Sequence, residues 1–171
     1  LKKIKENNIE YPNLRRHQDE VFISRYIDKT EKICFTDHIL YTYYSNDINR
    51  VWEKYNLNYI DIAENLYKYR IGIISKWNPE NDELNIMIRR EYLGNIIRAI
   101  LISFNKKNKL NKEHRITWLE NQIVNKKLYE IFDINECTSL FQKIIVRCIN
   151  QKEAIKLHHI VRIMMFLKYR K

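Results

Sequence analysis

The stretch from Asn78 to Phe104, NPENDELNIMIRREYLGNIIRAILISF, decides the fold class. Ile88, Leu93, Ile96, Ile97, Ile100, Leu101 and Phe104 recur mostly at spacings of three and four, the period of a helix with one apolar face. Asn78-Pro79 reads as the start of this helix, with Asn as cap and Pro at the first helical position. The same period runs upstream. Trp52, Tyr55, Tyr59, Ile62, Leu66, Tyr69 and Ile73 fall on one face of a long helix, which Asn56-Leu57-Asn58 can break. Downstream, Asn105 to His114 is a polar, strongly basic connector, and a shorter helix is expected around Trp118, Leu119, Ile123 and Val124. Asp133 or Asn135 can cap the next helix, whose stripe is Cys137, Leu140, Phe141, Ile144, Ile145 and Cys148. The last helix, from about Lys152 to Tyr169, is apolar over most of its circumference, as helices central to a bundle are.

Composition agrees with a mainly α chain. Only two glycines and two prolines occur in 171 residues, too few for the turns of an all-β fold or of a nucleotide-binding α/β unit. Hydrophobic residues make up 45%, enough for a core, and the length suits one domain or a short fragment of one fold joined to a second. The net charge of +10 points to an anionic contact of some kind, against the plainer alternative of a lysine-rich solvated surface. Cys34, Cys137 and Cys148 are odd in number, far apart and without a CxxC pair, which favours reduced thiols over disulfides or zinc. No apolar run approaches 18 residues, so a cytoplasmic chain, or one peripheral at the inner face of the membrane, is expected. A start at Leu1 rather than Met fits a chain cut from something longer.

The first 46 residues have a different texture. Leu1 to Glu6 reads as a frayed helix end, and Asn7 to Arg16, with Tyr11-Pro12-Asn13, has turn chemistry. Gln18 to Asp28 can form a short helix with Val21, Phe22, Arg25 and Tyr26 turned inward. Lys32–Phe35 and Ile39–Tyr44 read as two strands rich in aromatic and branched residues, joined by Thr36-Asp37-His38.

Taken as one string, NIEYPNLRRHQDEVFISRYIDKTEKICFTDHILYTYYSND resembles the stretch that closes the catalytic domain of family 2, GT-A-type glycosyltransferases. The matching parts are Tyr11-Pro12, Arg15-Arg16-His17, Gln18-Asp19-Glu20, Phe22, Ile33-Cys34-Phe35 and Tyr41-Thr42-Tyr43. They agree in order and spacing over about a quarter of the chain. Gln18 stands where the family usually has Glu. The resemblance implies a small α+β remnant of a GT-A domain (residues 1–45) that supplies the acceptor side, followed by a bundle of about five helices (46–171). It implies transfer of a sugar from a nucleotide-sugar donor to a glycan or lipid-linked acceptor, with inversion, as in cell-surface polysaccharide biosynthesis.

By match to the motif, Asp19 is the general base, with Glu20 as fallback. A sugar hydroxyl is a poor nucleophile at neutral pH, so a carboxylate within hydrogen-bond reach must take its proton. The plainer reading of Asp19 is a first-turn carboxylate favoured by the helix dipole. Arg15, Arg16 and His17 could lie near the donor diphosphate or the acceptor, or simply form a charged turn. Tyr41 and Tyr43 face one side of a strand and could stack on an acceptor sugar, although packing on the helical domain explains them better.

The donor side is missing from the pattern. The sequence has no DxD motif and no strand–glycine–helix unit for a diphosphate. The divalent cation (Mn or Mg) expected of the full-length enzyme is therefore not expected on this chain, and the chain alone is expected to be inactive. His158-His159 are adjacent on a helix and point about 100° apart, so they cannot chelate one ion together; one buried and one exposed is the expectation. The basic stretches and aromatic residues permit nucleic-acid binding, but the aromatics fall on core stripes and no recognition motif appears. Peripheral membrane contact and oligomerisation stay open. The competing class is a non-enzymatic helical interaction module that binds an anionic partner.

Overall fold

The computed structural model describes residues 2–13, 17–38, 57–78, 80–105 and 108–168. It is mainly helical and divides into two compact units, residues 1–54 and 55–171.

In the first unit, α1 (Lys2–Glu6) ends where Asn8 takes a left-handed conformation (φ 49°), which Asn tolerates better than most residues. The Ile9 N–H then donates to the Ile4 carbonyl, and the Ile9 side chain is buried. Helix α2 (Gln18–Ile27) follows, close to the expected span. Of its expected inner face, Val21 is fully buried and Phe22 half-buried, while Arg25 and Tyr26 are exposed.

The expected strand at Ile33–Phe35 does not form: residues 32–37 are neither helix nor strand, and Ile33, Cys34 and Phe35 are exposed. An extended segment is a strand only when a neighbour accepts its backbone hydrogen bonds, and β-propensity alone supplies none. The expected partner strand, Ile39–Tyr44, lies outside the described residues. Thr36 and His38 do form a local turn, with the His38 N–H donating to Thr36 Oγ1 at 3.2 Å.

The second unit is a helical assembly. Helix α3 (Tyr59–Trp77) and α4 (Asp82–Ser103) form an antiparallel hairpin, fixed by contacts that run in opposite order along the two chains. Tyr59 Oη bonds Asn95 Oδ1 at 2.8 Å, Tyr67 stacks on Tyr92 at 4.4 Å, and Arg70 pairs with Glu91 at 2.5 Å. The cap of α4 is Asn81, whose Oδ1 accepts from the Leu84 N–H, and not Asn78, which closes α3. Both asparagines lie near a proline and an acidic turn, so sequence could not choose between them. Only Asn81 places its oxygen on an otherwise unpaired first-turn N–H.

Helix α5 (Lys112–Asn125) is capped by Asn111, whose Oδ1 accepts from the His114 N–H at 2.8 Å, so it begins well before Trp118. A short α6 (Leu128–Ile131) and a 3-10 turn (Ile134–Glu136) lead to α7 (Leu140–Asn150), capped by Ser139, and then to α8 (Ala154–Lys168). Asp133 caps the 3-10 turn instead of the helix. The inner face of α7 is Ile145, Val146, Cys148 and Ile149; Leu140 is exposed, and Cys137 is buried just before the helix rather than on it. The core joins these helices through Ile96, Leu119, Leu128, Ile145, Ile149 and Leu157, all essentially inaccessible. Burying each such side chain is worth about 1.5–3 kcal/mol before entropy is counted.

Helix α8 corrects one further expectation. It packs on α5 and α7 through Ala154, Leu157, His158 and Val161, yet Ile155, Ile163, Phe166 and Leu167 face solvent. An all-round apolar sequence is usual for a central helix, but here it serves one packed face and one open face.

Candidate functional site

Of the residues singled out by sequence, His17, Asp19 and Glu20 lie at the start of α2. His17 precedes the helix in a left-handed conformation (φ 59°), and its carbonyl accepts the first helical bond, from the Val21 N–H at 3.0 Å. The left-handed turn folds the imidazole back over the helix, with Nδ1 3.3 Å from a Glu20 carboxylate oxygen. Both side chains are about one-third exposed. Asp19, next to Glu20, is exposed in the first turn of the helix.

The aromatic-proline segment packs against this helix. Tyr11 and Phe22 stack with ring centroids 4.2 Å apart and planes 6° from parallel. Arg25 Nη1 donates to the Glu10 carbonyl at 3.1 Å, which ties the same segment to the other end of α2. The Tyr11-Pro12 segment and the helix carrying Asp19, separated in sequence, thus form one packed element. Arg15, Arg16, Tyr41 and Tyr43 lie outside the described residues. His17, Asp19 and Glu20 are brought together by the first turn of α2.

An exposed carboxylate beside an imidazole–carboxylate contact can accept a proton from a bound hydroxyl and can orient it. Among the described residues, no group of three or more His, Cys, Asp or Glu side chains is placed to hold a metal ion.

Several polar clusters in the second unit are invisible to sequence periodicity. Lys126, after α5, donates to Asp61 at 2.6 Å and also to Glu64, and Glu64 accepts from Lys68 at 2.5 Å. Burial alone would lower Lys126, but the hydrogen bonds to Asp61 and Glu64 prevail and hold its pKa above the ordinary value. For Glu64, burial pulls upward and the two lysines prevail in holding it below the usual carboxylate value. Arg89 binds both oxygens of Glu136, at 3.0 and 2.9 Å from Nε, and Arg90 Nε donates to the Glu136 carbonyl at 2.7 Å. These pairs fasten α3 to the end of α5 and α4 to the 3-10 turn. They are satisfied structural contacts.

His158 is buried and His159 exposed, as expected. Neither ring nitrogen of His158 has a hydrogen-bond partner, and its ring stacks on Phe104 at 5.1 Å. Burial, then the like charges of Arg115, His159, Arg162 and Lys112, draws its pKa down to about 4, so it is neutral at physiological pH. Burial likewise raises the thiol pKa of Cys137 and Cys148, which keeps both as unreactive core thiols. No helix among the described residues is long and apolar enough to cross a membrane. Comparison with protein-family models, with curated proteins and with solved structures finds no match.

Proposed function

We propose that this chain is the acceptor-side and C-terminal helical portion of a glycosyltransferase that takes a sugar from a nucleotide-sugar donor. Asp19 is its general base, and the acceptor is a glycan or lipid-linked hydroxyl compound. The observation that carries this reading is the packed element at α2, where Tyr11 stacks on Phe22 and leaves Asp19 exposed beside His17 and Glu20. Two parts of the resembling motif thus act as one piece, with the carboxylate open to an incoming hydroxyl.

In the proposed step, Asp19 accepts the proton of the acceptor hydroxyl while that oxygen attacks the anomeric carbon. The bond from that carbon to the diphosphate oxygen breaks, and the electron pair leaves with the nucleoside diphosphate. Attack from the face opposite the leaving group inverts the anomeric centre. His17 holds Glu20, which keeps that carboxylate beside the reacting turn as the fallback base. Arg15 and Arg16 are proposed to attract the anionic donor, and Tyr41 and Tyr43 to flank the acceptor.

The test begins with native protein captured from its source by an antibody against this chain. An intact mass above 21.1 kDa by about one domain of 100 or more residues supports an upstream donor-binding half. On that protein, Asp19→Asn should lower turnover of the sugar nucleotide by about 10²–10⁴-fold. Unchanged turnover would remove Asp19 from the mechanism. A native mass of 21.1 kDa without transfer would favour the helical interaction module instead.

A further inference from the structure

Helix α8 presents two apolar faces. Ala154, Leu157, His158 and Val161 pack into the core, while Ile155, Ile163, Phe166 and Leu167 are 62%, 59%, 59% and 60% exposed. At about 100° per residue, the four exposed side chains fall within an arc of about 120°, opposite the core face. Single exposed apolar residues are ordinary, but Ile163, Phe166 and Leu167 lie about one turn apart and form a patch, with Ile155 set off from them by Lys156 and His159 on the same arc.

The charges carried by α8 itself have one sign. No Asp or Glu occurs between Ala154 and Lys171, whereas Lys156, Arg162, Lys168, Arg170 and Lys171 do. Lys156 is paired with Glu153 at 2.9 Å, and among the described side chains of α8 Arg162 is the cation beside Ile163 and Phe166. From α5, Arg115 and Lys112 add to it: both act on His158 as like charges together with Arg162, and Arg162 lowers the pKa of Arg115 after burial has done so.

We propose that the outer face of α8 docks on an anionic phospholipid bilayer. Ile163, Phe166 and Leu167 enter the boundary between headgroups and acyl chains, and Arg162 lies against lipid phosphates. The helix is proposed to lie on the membrane surface, as no helix among the described residues is long and apolar enough to cross one. A second copy of the chain fits this face less well. A two-fold contact would oppose the same cations, and four side chains fall well short of the roughly 800 Å² per partner of a stable interface. The inference rests on α8 and the neighbouring cations of α5, and would survive failure of the transferase reading.

Vesicle co-sedimentation tests it, with phosphatidylcholine alone and with phosphatidylcholine containing phosphatidylglycerol. The chain should bind the anionic vesicles and be released by salt, since surface attraction is screened within about 8–10 Å at physiological ionic strength. The double variant Ile163→Ser/Phe166→Ser should weaken binding by about tenfold or more. Arg162→Gln should weaken it about fivefold, the equivalent of about 1 kcal/mol per surface cation. Both variants should keep the parent far-UV circular dichroism and melting temperature, because the replaced side chains face solvent. Failure to bind anionic vesicles, or undiminished binding by the double variant, overturns the proposal. So does equal binding to phosphatidylcholine alone. Self-association lost in the double variant, without vesicle binding, would assign the face to a second copy.

Discussion

The two units are built to different standards. Among the described residues of the first unit, only Ile9 and Val21 are buried apolar side chains, joined by the Tyr11–Phe22 stack and by side-chain bonds of Arg25 and Lys3 to backbone carbonyls. The second unit buries a continuous cluster from Tyr59 to Val161 and fastens its helices with paired charges. The proposed chemistry sits on the lean unit. Binding and catalytic groups are often drawn from the less stable parts of a fold, because groups that must meet a partner cannot also be sealed in a core. The comparison therefore predicts that damage to the second unit appears as lost stability, and damage to the first as lost activity.

The largest stability effect should come from Ile149→Ala, at the fully buried centre of α7. Truncating a buried Ile costs about 2–5 kcal/mol, read as a lower denaturant midpoint at unchanged slope. A loss below about 1 kcal/mol would show that the helical core is loosely packed and erase the contrast between the units.

The next effect is a pH dependence of about 3 kcal/mol. In the fold His158 stays neutral down to about pH 4, whereas the unfolded chain takes up the proton below about 6.5. Between those values the unfolded state binds more protons, so stability is full above pH 6.5 and declines as pH falls toward 4. At about 1.4 kcal/mol per unit, the interval amounts to about 3 kcal/mol. Denaturation curves across this window should show the slope in the parent and lose it in His158→Leu. Glu64 adds a loss in the same direction at lower pH, because its depressed pKa stabilises the fold until the pH falls through it.

A smaller effect is expected in the first unit. Tyr11→Ala removes the stack on Phe22, at about 0.5–1.5 kcal/mol beyond lost burial. Amide exchange should quicken across α2 and stay unchanged in α4 and α7. The smallest is Asp19→Asn, which should leave stability within about 0.5 kcal/mol because the side chain is exposed and away from the core. A thermal shift of several degrees would show that Asp19 is a structural cap. Little shift together with the loss of turnover described above would separate function from folding at one residue.

Much of the fold was legible in residue order. Ile88, Leu93, Ile96 and Ile100 lie where the period of three and four placed the core, and α2 begins at Gln18. Asp19, Glu20 and His17 could be grouped from sequence because a helix's first turn is local geometry. Chain order could not give the pairing of Arg89 with Glu136 or of Lys126 with Asp61 and Glu64, since those partners lie 47, 65 and 62 residues apart. Nor could it settle Ile33–Phe35, whose branched and aromatic residues satisfy a strand pattern without a partner to pair with.

The sequence by itself determined that the chain is mainly helical, basic and without a spanning helix, because periodicity, charge and the scarcity of Gly and Pro act locally along the chain. Tertiary structure decided which asparagine caps α4, which of two adjacent histidines is buried, and which of the two apolar sides of α8 meets the core. Each of those choices depends on which neighbour supplies the missing hydrogen bond or excludes water, and a neighbour distant in the chain leaves no mark on the local pattern.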